Sequence, residues 1–167
     1  WDLTSIFLSD EAWESEVEEV IGLIEDLPRF RHHLADGPAM LAEWLQKVAQ
    51  LRRRLGKITA YAHSQHSVNT KNQAAIAKKD RVTSLVARAI ASTAFAEPEM
   101  LALGADTLQS WCKTSTDLAI YKHYFDEICR RQAHVRSADV EELLGQVIDP
   151  FSATSATHST LANADMT

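Results

Sequence analysis

The second quarter of the chain carries its clearest hydrophobic pattern. Over residues 41–62 the apolar positions alternate spacings of three and four, which is typical of one helix face packed against neighbouring helices. This pattern predicts a helix over residues 38–68, roughly 45 Å long at ~1.5 Å per residue. A second helical stretch, residues 71–96, follows a short connection at residues 69–70, which can end the first helix and cap the second. Together the two helices predict a long antiparallel hairpin. The seam of the first helix comprises Leu41, Trp44, Val48, Leu51, Leu55, Ile58 and Ala62.

Shorter helices are predicted on both sides of this hairpin. The first begins after Ser9 or Asp10, either of which can cap it, and is interrupted at Pro28, which cannot donate to the carbonyl four residues earlier. Its apolar face comprises Trp13, Val17, Val20, Ile24 and Leu27. Further helices are predicted over residues 97–103, over 107–113, from a cap at 115–117 to 132, and over 137–147.

Two other buried faces follow from the same spacing rule. The second hairpin helix is expected to bury Ile76, Val82, Leu85, Val86, Ala89, Ile90 and Ala94. The helix that ends near residue 132 is expected to bury Leu118, Tyr121, Tyr124, Phe125 and Ile128.

The predicted fold class is all-α, a long antiparallel helical hairpin with additional shorter helices. No stretch shows the period-two alternation of a half-buried strand. Residues 1–150 are predicted to form one helical domain, and residues 151–167, which are small, polar and weakly periodic, a linker or the start of a further domain. Because the chain begins at Trp1 rather than Met, we expect its numbering to start inside a longer or processed product.

Charge and composition exclude several classes of partner and location. The net charge of -6 and the isoelectric point of about 5.6 argue against nucleic-acid binding, which favours a basic face. No window approaches 18 consecutive apolar residues, so no membrane span is expected. The chain opens without a signal peptide, and its two cysteines make no disulfide framework, so a cytoplasmic location is predicted.

Catalytic metal chemistry has no complete motif in this sequence. A zinc protease of the H-E-x-x-H type needs two histidines one turn apart with a glutamate as base, and no histidine here is followed by Glu. His63 and His66 are three residues apart, so they could share one helix face and one metal, with two more ligands from elsewhere. The plainer interpretation is a polar helix end. No catalytic, cofactor-binding or metal-binding residue is therefore assigned.

Other reactive side chains also have plain interpretations. Cys112 and Cys129 lie in no C-x-x-C pair and are expected to be buried small hydrophobes. Glu97, Glu99 and Asp106 around Pro98 could form a carboxylate site, but solvated acids at a helix end are the commoner outcome. The basic run at residues 52–54 predicts a solvated face, or a patch that meets an acidic neighbour.

The order of several short motifs resembles the oligoendopeptidase F family of zinc metallopeptidases. The opening W-D-L-T-S-I-F followed by Trp13 resembles the start of that family, and L-G-K-I-T-A-Y-A at residues 55–62 is similar to a motif on its long second helix. F-A-E-P-E-M-L at residues 95–101 resembles a third motif. Residues 121–144 and L-A-N-A-D at residues 161–165 resemble a fourth and a fifth, so the likeness spans nearly the whole chain in the family's order.

This resemblance implies a role without catalytic residues. The family's zinc ligands and catalytic glutamate lie in a C-terminal helical domain, so zinc is expected in the full-length enzyme and none in this segment. The N-terminal helices of such enzymes form a wall of a channel that admits short peptides. The implied partners are the chain's own C-terminal catalytic domain and short peptide substrates.

Two further hypotheses stay open beside the peptidase domain. A free-standing helical protein–protein interaction module is the alternative, because the seam of the long helix could also serve a partner helix. An independent metalloprotein that uses His63 and His66 is the third. The peptidase hypothesis predicts an incompletely covered apolar surface on this segment, through which copies could associate as a homo-oligomer.

Overall fold

The computed structural model describes residues 2–132, and these residues are helical without a strand. The all-α prediction is confirmed. Seven α-helices follow one another: α1 (Asp10–Asp26), α2 (Pro38–Val68), α3 (Gln73–Thr93), α4 (Ala96–Leu103), α5 (Ala105–Thr114), α6 (Thr116–Ala119) and α7 (Lys122–Gln132). Short 3-10 turns lie at Leu3–Ser5, Leu27–Phe30 and Leu34–Asp36. No helix in this part of the chain is both long and apolar enough to cross a membrane.

The chain divides into two compact units within α7. The first contains Trp1–Asp126 and the second Glu127–Thr167. The site described below lies wholly in the first unit. The predicted helix over residues 137–147 and the predicted boundary at residue 150 lie outside the described residues.

The start and end of α1 agree with the sequence signals. The Ser9 hydroxyl accepts a hydrogen bond from the Ala12 amide at 3.3 Å, which satisfies one of the free N–H groups of the first turn. The helix ends at Asp26, and Pro28 begins the 3-10 turn that follows. All members of the predicted apolar face are buried: Trp13, Val17, Val20, Ile24 and Leu27.

The long helix α2 has the predicted bounds, and all seven residues of its predicted seam are buried. It packs most extensively against α3 and next against α1. Near its carboxyl end the Gln65 amide oxygen accepts from Lys78 at 3.0 Å, whereas near its start Trp44 packs edge-on against Phe95. These two contacts lie at opposite ends of the pair, so α2 and α3 are antiparallel, as predicted.

The cap and the buried face of α3 differ from the prediction. Asn72, rather than residues 69–70, caps it, and the Asn72 side chain accepts from the amides of Ala74 and Ala75 at 2.9 and 3.3 Å. Val82, Leu85 and Ala89 are buried as predicted, but Ile90 is 65% exposed. Since consecutive residues are about 100° apart around a helix, Ile90 cannot share the face of Ala89. Ile76 and Val86 are half-buried, and Ala94 is exposed.

The single helix predicted to reach residue 132 is two helices, α6 and α7. At their junction the Tyr121 amide donates to the Leu118 carbonyl at 2.9 Å, only three residues back. That bond closes a 3-10 turn and ends the α-helical ladder, which restarts when the Phe125 amide donates to Tyr121 at 3.0 Å. The break leaves Tyr121 and Tyr124 half-buried, while Leu118, Phe125 and Ile128 are buried as expected.

Side-chain contacts fix α1 across the hairpin. The Trp13 indole N–H donates to the Ile58 carbonyl of α2 at 3.0 Å in a buried setting. Asp10 accepts from the Tyr61 hydroxyl at 3.0 Å and pairs with Lys78 of α3, whose ammonium lies 5.5 Å from the Trp13 ring. Further ion pairs join α1 to α3 on the surface: Arg81 with Glu14 and Glu18, and Arg88 with Glu25.

Candidate functional site

The histidine pair singled out in the sequence acquires no further ligand in the described structure. His63 is exposed and His66 half-buried near the end of α2. Among residues 2–132, no group of three or more His, Cys, Asp and Glu side chains is arranged to hold a metal ion. His63 and His66 are therefore not part of a metal-binding group within the described residues.

The first of the two cysteines behaves as a buried hydrophobe. Cys112 is buried on α5, and its thiol donates to the Leu118 carbonyl at 3.4 Å. Burial raises the pKa of the Cys112 thiol above its ordinary value of 9.0, and the nearby Asp126 carboxylate acts in the same direction. The thiol is consequently protonated near neutral pH and is a poor nucleophile. Cys129 is half-buried.

Among the acidic residues around Pro98, Glu99 has a clear role in the fold. The Glu99 carboxylate accepts a hydrogen bond from the His32 backbone amide at 2.8 Å. His32 has a φ of 67°, a left-handed conformation that non-glycine residues rarely adopt, so this bond helps to hold a strained turn. Glu99 thus links α4 to the turns before α2.

The basic run of α2 separates into residues with different surroundings. The Arg54 guanidinium pairs with Glu16 of α1 at 3.0 Å. Arg53 and Arg54 line one polar groove together with Glu16, Gln46, Gln50 and Lys57. Arg52 is exposed and forms no ion pair within the described residues. Arg52 therefore lies apart from the groove that Arg53 and Arg54 share.

Arg52 lies between two apolar recesses along α2. One, which we call the tyrosine pocket, has a volume of about 270 Å³. The other, which we call the hairpin groove, is a shallow recess of about 510 Å³ on the α2–α3 side. The tyrosine pocket is lined by Trp44, Leu45, Val48, Ala49, Arg52, Tyr121 and Tyr124. The hairpin groove is lined by Arg52, Leu55, Gly56, Thr59, Ala60, His63 and Val86.

Each recess contains one buried polar atom that lacks a partner within the described residues. In the tyrosine pocket it is the indole nitrogen of Trp44, a residue that is 3% exposed. In the hairpin groove it is the hydroxyl oxygen of Thr59. Sequence reasoning placed Trp44 correctly in the core, but no sequence signal shows whether a buried donor finds an acceptor.

Comparisons with known proteins agree with the helical architecture. A family model described as oligopeptidase F matches residues 99–167. Oligopeptidase PepF of Bacillus subtilis is 35% identical over 167 residues, which cover 100% of this chain and 25% of that protein. Group B oligopeptidase PepB of Streptococcus agalactiae is 36% identical over 166 residues, 99% of this chain and 28% of that protein. The crystal structure of oligoendopeptidase-F from Enterococcus faecium matches with a TM-score of 0.76 at 28% identity, over 95% of this chain and 31% of that one.

Fold and sequence together define the chain as a helical domain of a peptidase family. It belongs to the oligoendopeptidase F family, as the N-terminal helical domain. The resemblance read from the order of the motifs is thereby confirmed. The chain spans about a quarter of the length of the two curated relatives, 25% and 28%.

Proposed function

We propose that this chain forms one wall of the substrate channel of a zinc-dependent oligoendopeptidase that hydrolyses short peptides. The observation that carries the proposal is the family membership over the full chain, at 35% identity to an oligopeptidase. The zinc ligands and the catalytic residues belong to a C-terminal catalytic domain, which is the partner of this one. A cytoplasmic location belongs to the same proposal and is supported by a sequence with only two cysteines, which make no disulfide framework.

The geometry of α2 supports a wall rather than a closed domain. Arg52, Gly56 and Thr59 lie on successive turns of α2 and line the hairpin groove together with Val86 of α3. Ile90 of α3 adds an exposed large apolar side chain on the partner helix. Contiguous apolar surface of this kind usually marks a site of binding.

Zinc dependence is tested on the complete polypeptide of the source reading frame. We expect hydrolysis of a fluorogenic peptide of about eight residues, loss of that activity with 1,10-phenanthroline, and its recovery on addition of zinc. Sequencing of the frame beyond Thr167 should find the codons of an H-E-x-x-H motif. If the chelator does not change the rate of hydrolysis, the proposed zinc dependence is wrong. If the reading frame lacks an H-E-x-x-H motif, the proposed metallopeptidase function is wrong.

The second candidate function is a free-standing helical interaction module. Exposed apolar side chains at Leu8, Ile90 and Ile120 favour it, because they could meet a partner protein. This hypothesis predicts a stop codon close to Thr167 and a homo-oligomer of defined size. Sedimentation velocity of the chain, together with the downstream sequence, distinguishes the two functions.

A further inference from the structure

We draw no further inference here: the strongest candidate, the apolar face of α2 formed by the tyrosine pocket and the hairpin groove, carries none because nothing in the structure shows what covers it.

Discussion

The two tryptophans of the core form a matched pair for a stability experiment. Trp13 is fully buried and donates to the Ile58 carbonyl at 3.0 Å, whereas Trp44 is 3% exposed and has no acceptor within the described residues. Each also packs against one aromatic ring, Tyr61 at 6.5 Å and Phe95 at 6.3 Å. Replacement by phenylalanine removes the same atoms at both positions, so the loss of packing is similar in the two variants. Trp13 also faces the cations of Lys78 and Arg81 at 5.5 and 5.8 Å, and weakening these contacts acts in the same direction as losing the hydrogen bond.

The two variants are expected to differ in their free energy of unfolding mainly because only Trp13 donates a hydrogen bond within the described residues. Trp13→Phe loses a bond worth about 1 kcal/mol, while Trp44→Phe removes a buried unsatisfied donor and regains about 1–3 kcal/mol. Trp13→Phe should therefore be less stable than Trp44→Phe by about 2–4 kcal/mol. In a chain of this size that difference corresponds to a gap on the order of 10 °C in Tm.

Urea unfolding followed by circular dichroism measures both free energies of unfolding. The m-values should stay close to that of the wild type, which shows that only stability has changed. Equal losses at the two positions, or a larger loss at Trp44, would show that the Trp44 N–H has an acceptor after all.

Two further predictions concern pH and backbone conformation. The hydrogen bond from Lys78 holds the pKa of Asp10 below its ordinary value of 3.8. The stabilisation by the ionised Asp10 carboxylate is therefore complete above about pH 5 and is lost as the pH falls through the folded-state pKa. Asp10→Asn should flatten this part of an acid-unfolding profile, and an unchanged profile would contradict the argument. Gly104→Ala should destabilise the domain by about 1–2 kcal/mol, because φ is 81° at that position. Gly22→Ala in α1 should instead stabilise it by about 0.5–1 kcal/mol, because an added methyl meets nothing within 4 Å. Thermal unfolding measures both changes, and the same sign for both would refute the argument.

The elements predicted correctly are those that periodicity alone decides. The bounds and seam of α2 follow from an uninterrupted apolar repeat, and α1 follows from one repeat with a serine cap. The sequence predicts the start of α3 too early, at residue 71 instead of Gln73, because residues 69–70 and Asn72 are all acceptable N-caps by residue type. Only the geometry of the chain reversal lets the Asn72 side chain reach two free amides.

The candidate site was less accessible from sequence than the fold. The run of arginines at residues 52–54 predicts a solvated face or a patch that meets an acidic neighbour, and the sequence does not show which arginine does which. Arg54 meets Glu16 of α1, whereas Arg52 is exposed and forms no ion pair within the described residues. The helix break at Tyr121 likewise arises because the Tyr121 amide donates to the Leu118 carbonyl, three residues earlier, and no residue type in the sequence predicts that hydrogen bond. Both features depend on contacts and hydrogen bonds that form only in the folded chain, and the spacing of residues along one helix does not predict them.

During synthesis α1 is made before the residues of α2 and α3 that it contacts in the folded domain. The carbonyl that receives the Trp13 indole belongs to a residue 45 positions later, and Arg81 follows Glu14 by 67 positions. At about 5–20 residues per second, the ribosome delivers the first of these partners roughly 2–9 s after Trp13. During that interval Trp13 lacks the carboxyl half of α2, which supplies the Ile58 carbonyl and the Tyr61 ring in the folded domain. The acidic face of α1, which later supplies the ion pairs to α3, meanwhile keeps neighbouring nascent chains apart by charge repulsion.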